Sequence, residues 1–236
     1  MSEFKIVENQ PDEKPEVLNE EVEKLINEQI TIYTYNKKFW DKKYLSLDLI
    51  SSNYEAKLIT NKLSFGLYNF HFFKDTFCDE LVNDLKKFNG WTENRHDHFP
   101  TNDILLQKYN SNLHNIYTSC IKNIVIPIVN KIYEGSTYKP ERLTHETFII
   151  RYKPGLQNSL NLHHDASEFS IILNLSQEGE DFEGGGTYFP QHELLVKAPK
   201  GHLVMHPGRM THWHGVRPIT SGERYAIVSF CKFNSN

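Results

Sequence analysis

His163-His164-Asp165 is the shortest stretch of this chain that could do chemistry. On an extended strand alternate side chains share a face, so His163 and Asp165 point one way and His164 the other. A neutral imidazole and a carboxylate on one face are two arms of a two-histidine, one-carboxylate set, which holds non-haem Fe(II) and leaves positions open. The third arm must come from a distant segment. His212 and His214, at strand spacing around Trp213, are candidates, and His206 is another. Ten residues past His214 stands Arg224, opening the β-rich run Tyr225 to Phe230. On a strand Arg224 shares a face with Ala226, Val228 and Phe230, and no acid stands beside it there. A guanidinium on an apolar face needs an anion, and its fork fits a ligand carboxylate.

Composition narrows what could hold such a metal. Twelve histidines stand against three cysteines in 236 residues. Cys78, Cys120 and Cys231 are odd in number and far apart, which excludes a disulfide framework and a Cys-rich zinc finger. Histidine and carboxylate are the ligands left. Nine acids against three lysines fall within residues 1–30, although the whole chain nets only −4. No stretch is a basic block, so no nucleic-acid partner is expected. The longest apolar run, Ile124 to Val129, is too short to span a bilayer, so no membrane span is expected. The N-terminus lacks a basic segment followed by an apolar one, and no signal peptide is expected.

These side chains need a scaffold. Residues 1–60 read as an acidic, partly helical extension, with a helix over 16–30, and residues 61–236 as the main domain. Thr76 with Asp79 resembles a capping box. It opens a helix with Phe77, Leu81, Val82, Leu85 and Phe88 on one face, ended by Gly90. A second helix spans about 113–133, and Pro127 is expected to kink or divide it. From Leu143 onward short strands alternate with turns at Pro154-Gly155, Gly184-Gly185-Gly186, Pro199-Lys200-Gly201 and Pro207-Gly208. Helices first and strands afterwards predict an α+β fold with the strands closed as a sandwich or barrel. His96, Asp97 and His98 look metal-like but lie in a polar loop and are read as solvated.

The order H-x-D, later His, then Arg is that of Fe(II)- and 2-oxoglutarate-dependent oxygenases. The flanking residues narrow the likeness. His163-His164-Asp165-Ala166-Ser167, Glu183-Gly184-Gly185-Gly186, His206-Pro207-Gly208-Arg209, Thr211-His212-Trp213-His214-Gly215 and Arg224-Tyr225-Ala226-Ile227-Val228-Ser229-Phe230 closely resemble the C-terminal catalytic domain of procollagen lysyl hydroxylases. Arg151-Tyr152 with Pro154, Cys78-Asp79-Glu80-Leu81-Val82, and Pro100-Thr101 with Asp103-Ile104 resemble it too. The likeness covers about residues 65–236. The chain departs from animal members in having Trp213 where Tyr is usual. It also lacks, within its 236 residues, their glycosyltransferase-like domains.

The resemblance implies a double-stranded β-helix (jelly-roll) core with helices packed on one side. By it, His163, Asp165 and His214 match the iron ligands, and His212 matches a non-ligand histidine. Arg224 matches the arginine that binds the far carboxylate of 2-oxoglutarate, and Tyr152 sits near that cosubstrate. The implied reaction turns peptidyl lysine in collagen-like Gly-X-Y polypeptide into 5-hydroxylysine. It uses Fe(II), 2-oxoglutarate and O2, with ascorbate as reductant, and releases succinate and CO2. A homodimer and the endoplasmic reticulum lumen are expected on the same ground. The competing readings are a prolyl or other protein hydroxylase and a non-catalytic metal- or collagen-binding module.

Overall fold

A computed structural model describes residues 20–93, 95 and 99–234. His96, Asp97 and His98 lie outside the described residues. The helices are α1 (Glu20–Gln29), α2 (Lys37–Tyr44), α3 (Leu47–Ser51), α4 (Ala56–Ile59), α5 (Asp75–Leu85), α6 (Leu106–Tyr109), α7 (Ser111–Cys120) and α8 (Ile126–Ile132). The strands are β1 (Asn61–Ser64), β2 (Leu67–His71), β3 (Asp103–Leu105), β4 (Leu143–Tyr152), β5 (Leu160–His163), β6 (Phe169–Asn174), β7 (Phe182–Gly184), β8 (Thr187–Phe189), β9 (Leu194–Val196), β10 (His202–Pro207), β11 (His214–Val216), β12 (Ile219–Gly222) and β13 (Arg224–Phe233). A seven-stranded sheet runs β1-β2-β10-β6-β13-β4-β3, all pairs antiparallel. A four-stranded sheet, β5-β11-β8-β9, and the pair β12-β7 complete the double-stranded β-helix. Among the described residues no helix is long and apolar enough to cross a membrane.

The large sheet is buried on both faces, and side-chain parity divides its residues between two cores. On β13, Tyr225, Ile227 and Cys231 join the helix-side core, with Phe77, Leu81 and Leu85 of α5. Ala226 belongs to the core between the sheets, against which Val228 and Phe230 pack. On β4, Ile149 faces the helices while Phe148, Ile150 and Tyr152 face the opposing sheet. On β6, Phe169, Ile171 and Leu173 face the helices and Ile172 the interior. Each such apolar side chain contributes roughly 1.5–3 kcal/mol when fully buried. The aromatic stretch before β1 adds to the helix-side core. Trp40 and Tyr44 of α2 are fully buried, and Trp40 meets Phe73 edge-on at 5.8 Å between ring centroids.

Two helix boundaries differ from the sequence expectation. The Thr76–Asp79 capping box does not form. The N-cap is Lys74, without a side-chain bond, and Thr76 Oγ1 instead donates to the Lys43 carbonyl at 3.4 Å. The helix closes at Leu85 rather than at Gly90, because Phe88 turns off the axis to meet Trp91 and Tyr109 edge-on. Pro127 does divide the second helix, through a π-helical turn over Ile121–Val125 in which the Ile126 N–H reaches back to the Ile121 carbonyl. The wider turn accommodates a residue that has no N–H and whose ring crowds the preceding turn.

Gly201, in the turn between β9 and β10, has φ +75°. Its carbonyl accepts the Phe72 and Phe73 N–H groups, and a Cβ there would lie 2.1 Å from the Phe73 oxygen. Gly201→Ala is therefore expected to cost at least about 2 kcal/mol, joining left-handed strain to a backbone clash. A urea midpoint equal to that of the parent chain would contradict this.

Candidate functional site

The site sits between the two sheets, in a cavity of about 190 Å³. β5 ends on His163, and the chain bends into the loop that carries His164 and Asp165. β11 begins on His214, which pairs directly with His163 across the antiparallel ladder. Arg224 opens β13 and is opposite Tyr152, the last residue of β4. All five sequence-nominated residues, His163, Asp165, His214, Arg224 and Tyr152, line this one cavity.

His163 Nε2 lies 3.5 Å and His214 Nε2 3.8 Å from Asp165 Oδ1. The three ligand atoms lie within 4.8 Å of one another, the only such group of three or more among the described residues. The tautomers are fixed from behind. His163 Nδ1 is 2.8 Å from the Asn161 carbonyl and His214 Nδ1 is 3.0 Å from the His212 carbonyl. A carbonyl only accepts, so each Nδ1 carries the proton and each Nε2 turns a lone pair toward Asp165. Burial, reinforced by His214, lowers the His163 pKa and favours that neutral form.

Asp165 is 3% exposed. Its Oδ2 accepts from Ser170 Oγ at 2.6 Å, while its Oδ1 has no hydrogen-bond partner among the described residues. Burial opposes its charge, and the Ser170 hydroxyl bond favours it. A buried carboxylate oxygen without a donor, facing two imidazole lone pairs, is an arrangement of acceptors only. It fits a divalent cation, and the donor set of two neutral nitrogens and one carboxylate suits Fe(II) with positions left open.

Arg224 is 6% exposed, and burial lowers its pKa. Its Nε makes a long bond of 3.4 Å to Asn174 Oδ1, and its buried Nη1 has no hydrogen-bond partner among the described residues. Its guanidinium carbon stands 5.6 Å from the centre of the Tyr152 ring. This cation, without a paired anion in the same cavity as the three ligand atoms, fits the far carboxylate of a small dicarboxylic acid. Tyr152 is a buried wall of that subsite, and burial raises its phenol pKa.

The other histidines separate by their bonds. Both His212 nitrogens are engaged: Nε2 with the Phe65 carbonyl at 3.1 Å and Nδ1 with Thr211 Oγ1 at 3.0 Å. His206 is fully buried, donates Nδ1–H to the Pro207 carbonyl, and holds Nε2 3.9 Å from Asp165 Oδ2. It stands beside the three-atom group and is not one of its members. His164 is exposed at the rim, edge-on to Trp213 at 5.4 Å. The glycine run takes φ of +83°, +72° and +93° at Gly184, Gly185 and Gly186. A Cβ on Gly184 would lie 2.9 Å from the Pro218 carbonyl oxygen, so the run serves close backbone approach.

Sequence reasoning missed two residues here. Ser170 holds Asp165, and Asn174 holds Arg224. Asn174 spends both amide protons on the Ser176 and Ala198 carbonyls, which leaves its oxygen facing the guanidinium. The signal was present on β6. With Phe169, Ile171 and Leu173 toward the helices, Ser170 and Asn174 flank Ile172 on the inward face, and two polar groups there need partners. Ser170→Ala is expected to weaken metal binding roughly 10- to 100-fold, the usual effect of removing an outer hydrogen bond to a ligand. A Co(II) titration that gives an unchanged dissociation constant would refute it.

Comparison with known proteins agrees with this geometry. Residues 144–233 match the 2OG-Fe(II) oxygenase superfamily. The chain is 33% identical over 201 residues to human procollagen-lysine,2-oxoglutarate 5-dioxygenase 2, covering 81% of the chain and 26% of that protein. It is 36% identical over 208 residues to the Gallus gallus 5-dioxygenase 1, covering 83% and 27%. The chain thus spans about a quarter of the length of the curated relatives it matches. Among solved structures, a Trichoplax adhaerens prolyl hydroxylase in complex with a hypoxia inducible factor peptide superposes with TM-score 0.56 at 14% identity, covering 85% of this chain and 95% of that one. A Pseudomonas putida prolyl-4-hydroxylase gives TM-score 0.54 at 15% identity, covering 72% and 94%. At such identities these structures speak for the fold alone. From strand order, ligand cluster and sequence match together, the chain carries a 2OG-Fe(II) oxygenase superfamily domain, similar over about four fifths of its length to procollagen-lysine 5-dioxygenases.

Proposed function

We propose that this domain is an Fe(II)- and 2-oxoglutarate-dependent dioxygenase that converts peptidyl lysine to 5-hydroxylysine in collagen-like Gly-X-Y polypeptide. The observation that carries the reading is one cavity holding Asp165 Oδ1 between two Nε2 atoms and a guanidinium nitrogen of Arg224, both without a hydrogen-bond partner among the described residues. The lysine assignment rests on the relatives at 33–36% identity, which are named for that reaction.

His163, Asp165 and His214 would hold the iron. Bound there, Fe(II) supplies the redox chemistry by which O2 oxidatively decarboxylates 2-oxoglutarate to succinate and CO2 and hydroxylates the substrate. The protein's own part is placement. Asn161 and the His212 carbonyl keep both imidazoles in the Nε2-donor form. Ser170 fixes the carboxylate plane. Arg224, held by Asn174, anchors the far carboxylate, and Tyr152 stops that end of the subsite. Phe148, Ile150, Ile172, Val228 and Phe230 keep the remaining walls apolar and dry. Ascorbate is the reductant that fits this chemistry.

A homodimer belongs to the same proposal. Phe65 is 79% and Met210 66% exposed, on two surface turns joined by the His212–Phe65 hydrogen bond. Light scattering that reports a monomer mass at micromolar concentration would remove this part.

The test is succinate formation with Fe(II), 2-oxoglutarate, ascorbate and a Gly-X-Lys peptide, followed by mass spectrometry to locate the new oxygen. The expected result is peptide-stimulated succinate with oxygen on lysine. Oxygen on proline would replace lysine by proline as the target. No peptide-stimulated turnover by the iron-loaded protein would favour a binding module.

A further inference from the structure

The cavity of about 190 Å³ is smaller than the roughly 300–1,000 Å³ typical of ligand sites, so a cosubstrate and one reacting side chain occupy it and a main chain stays outside. A groove of about 430 Å³ lies directly against it. The two share Phe99, Thr101 and Leu160. The groove's floor is the 156–161 segment, facing Pro100 to Asn102.

Three features set this groove apart from other surface depressions. Among the described residues β5 is the outermost strand of its sheet, with β11 on one side and no strand on the other, and its first two residues, Leu160 and Asn161, line the groove. An open strand edge offers main-chain donors and acceptors to an extended chain. Next, Asn158, Ser159 and Asn161 line the groove, and their side chains make no hydrogen bond to another described residue. By contrast, Gln157 is committed to the fold, accepting the Asn102 N–H at 2.6 Å and donating to the Ser159 carbonyl at 3.2 Å. Finally, Leu156 is 52% exposed beside these amides. Neutral amides and hydroxyls lie along this edge with the apolar Phe99, Pro100, Leu156 and Leu160 and the carboxylate of Glu93, a mixture that matches the carbonyls and N–H groups of a peptide backbone carrying a basic side chain.

We infer that this groove docks an extended segment of the polypeptide substrate, with its main chain along the free edge of β5 and one side chain entering the cavity past Leu160 and Phe99. Asn158 and Ser159 bond to the docked backbone, and Leu156 meets an apolar ring such as proline. The inference rests on the proposed peptide hydroxylation and adds where the chain lies and which residues grip it.

Two measurements on the full chain separate this inference from that reading. The first is fluorescence anisotropy of a labelled Gly-Pro-Lys repeat peptide with protein stripped of metal by chelator. The second is the peptide KM of the iron-loaded protein, recorded beside 2-oxoglutarate consumption without peptide. The N158A/S159A double variant is expected to weaken peptide binding and raise peptide KM at least five-fold. Asn158→Arg, which fills the groove and adds positive charge against a lysine-bearing peptide, is expected to do so at least ten-fold. Peptide-free 2-oxoglutarate consumption and its KM should stay within two-fold in both. Peptide binding that is lost in these variants, without any turnover in the parent, would overturn the hydroxylase reading and leave the groove standing. Turnover with unchanged KM and anisotropy in both variants would overturn the groove and leave the hydroxylase. A parent that neither binds nor turns over the peptide would overturn both.

Discussion

Asp165→Asn removes turnover and makes the metal-free protein no less stable. The two effects share one cause. In the parent chain Oδ1 is buried, meets no donor among the described residues, and faces the Nε2 lone pairs at 3.5 and 3.8 Å. A buried acceptor left unmet costs about 1–3 kcal/mol, and more when charged. An asparagine of the same shape keeps an oxygen for Ser170 and turns N–H groups toward the imidazoles, so that cost falls. Without its only anionic ligand the site loses more metal affinity than the roughly 10- to 100-fold seen for outer partners. Equilibrium urea unfolding in chelator should give a midpoint equal to or above the parent's, and succinate formation should drop at least about 100-fold. A lower midpoint would show that Asp165 stabilises the empty fold, and retained turnover would remove it from the ligand set.

Arg224→Met is the second large effect. A methionine fills similar volume without charge. The 2-oxoglutarate KM is expected to rise roughly 30-fold or more, from the 2–5 kcal/mol carried by a buried, hydrogen-bonded charge pair. Folding should change little or improve, because a buried cation that lacks an anion is replaced by an apolar side chain. Arg224→Lys keeps the charge but loses the fork, so it should fall between parent and Arg224→Met. A KM for 2-oxoglutarate that is unchanged in Arg224→Met, with normal metal binding, would end the assignment of this subsite.

Parity made much of this legible in the sequence. Counting alternate residues placed Arg224, Ala226, Val228 and Phe230 on one side of a strand, and all four line the cavity. On β6 the same alternation holds, and the structure turns Phe169, Ile171 and Leu173 together to the helix side. Spacing could not choose among His206, His212 and His214, because the choice depends on hydrogen bonds from distant backbone. The Phe65 carbonyl, 147 residues away, engages His212, and the Pro207 carbonyl turns His206. Ser170 and Asn174 stood out only as polar residues on the inward face of β6; the partner of Ser170 is five residues away, while that of Asn174, Arg224, is fifty residues away and is brought alongside by sheet pairing. The failed Thr76–Asp79 cap shows the opposite error. A local motif was present, but tertiary contacts at Lys43 claimed its hydroxyl.

The alternation on β13 also decides what the protein risks when its chemistry misfires. Cys231 points into the helix-side core, as do Cys78 and Cys120, and burial raises all three thiol pKa values. The sheet stands between these thiols and the cavity where the proposed reaction would activate oxygen. If cosubstrate is consumed with no peptide in place, the nearest oxidisable groups are rings and aliphatic carbons on the cavity side, such as Phe148, Tyr152, Val228 and Phe230. Self-inflicted damage in this domain should therefore appear as added oxygen on those residues, with the cysteines recovered intact.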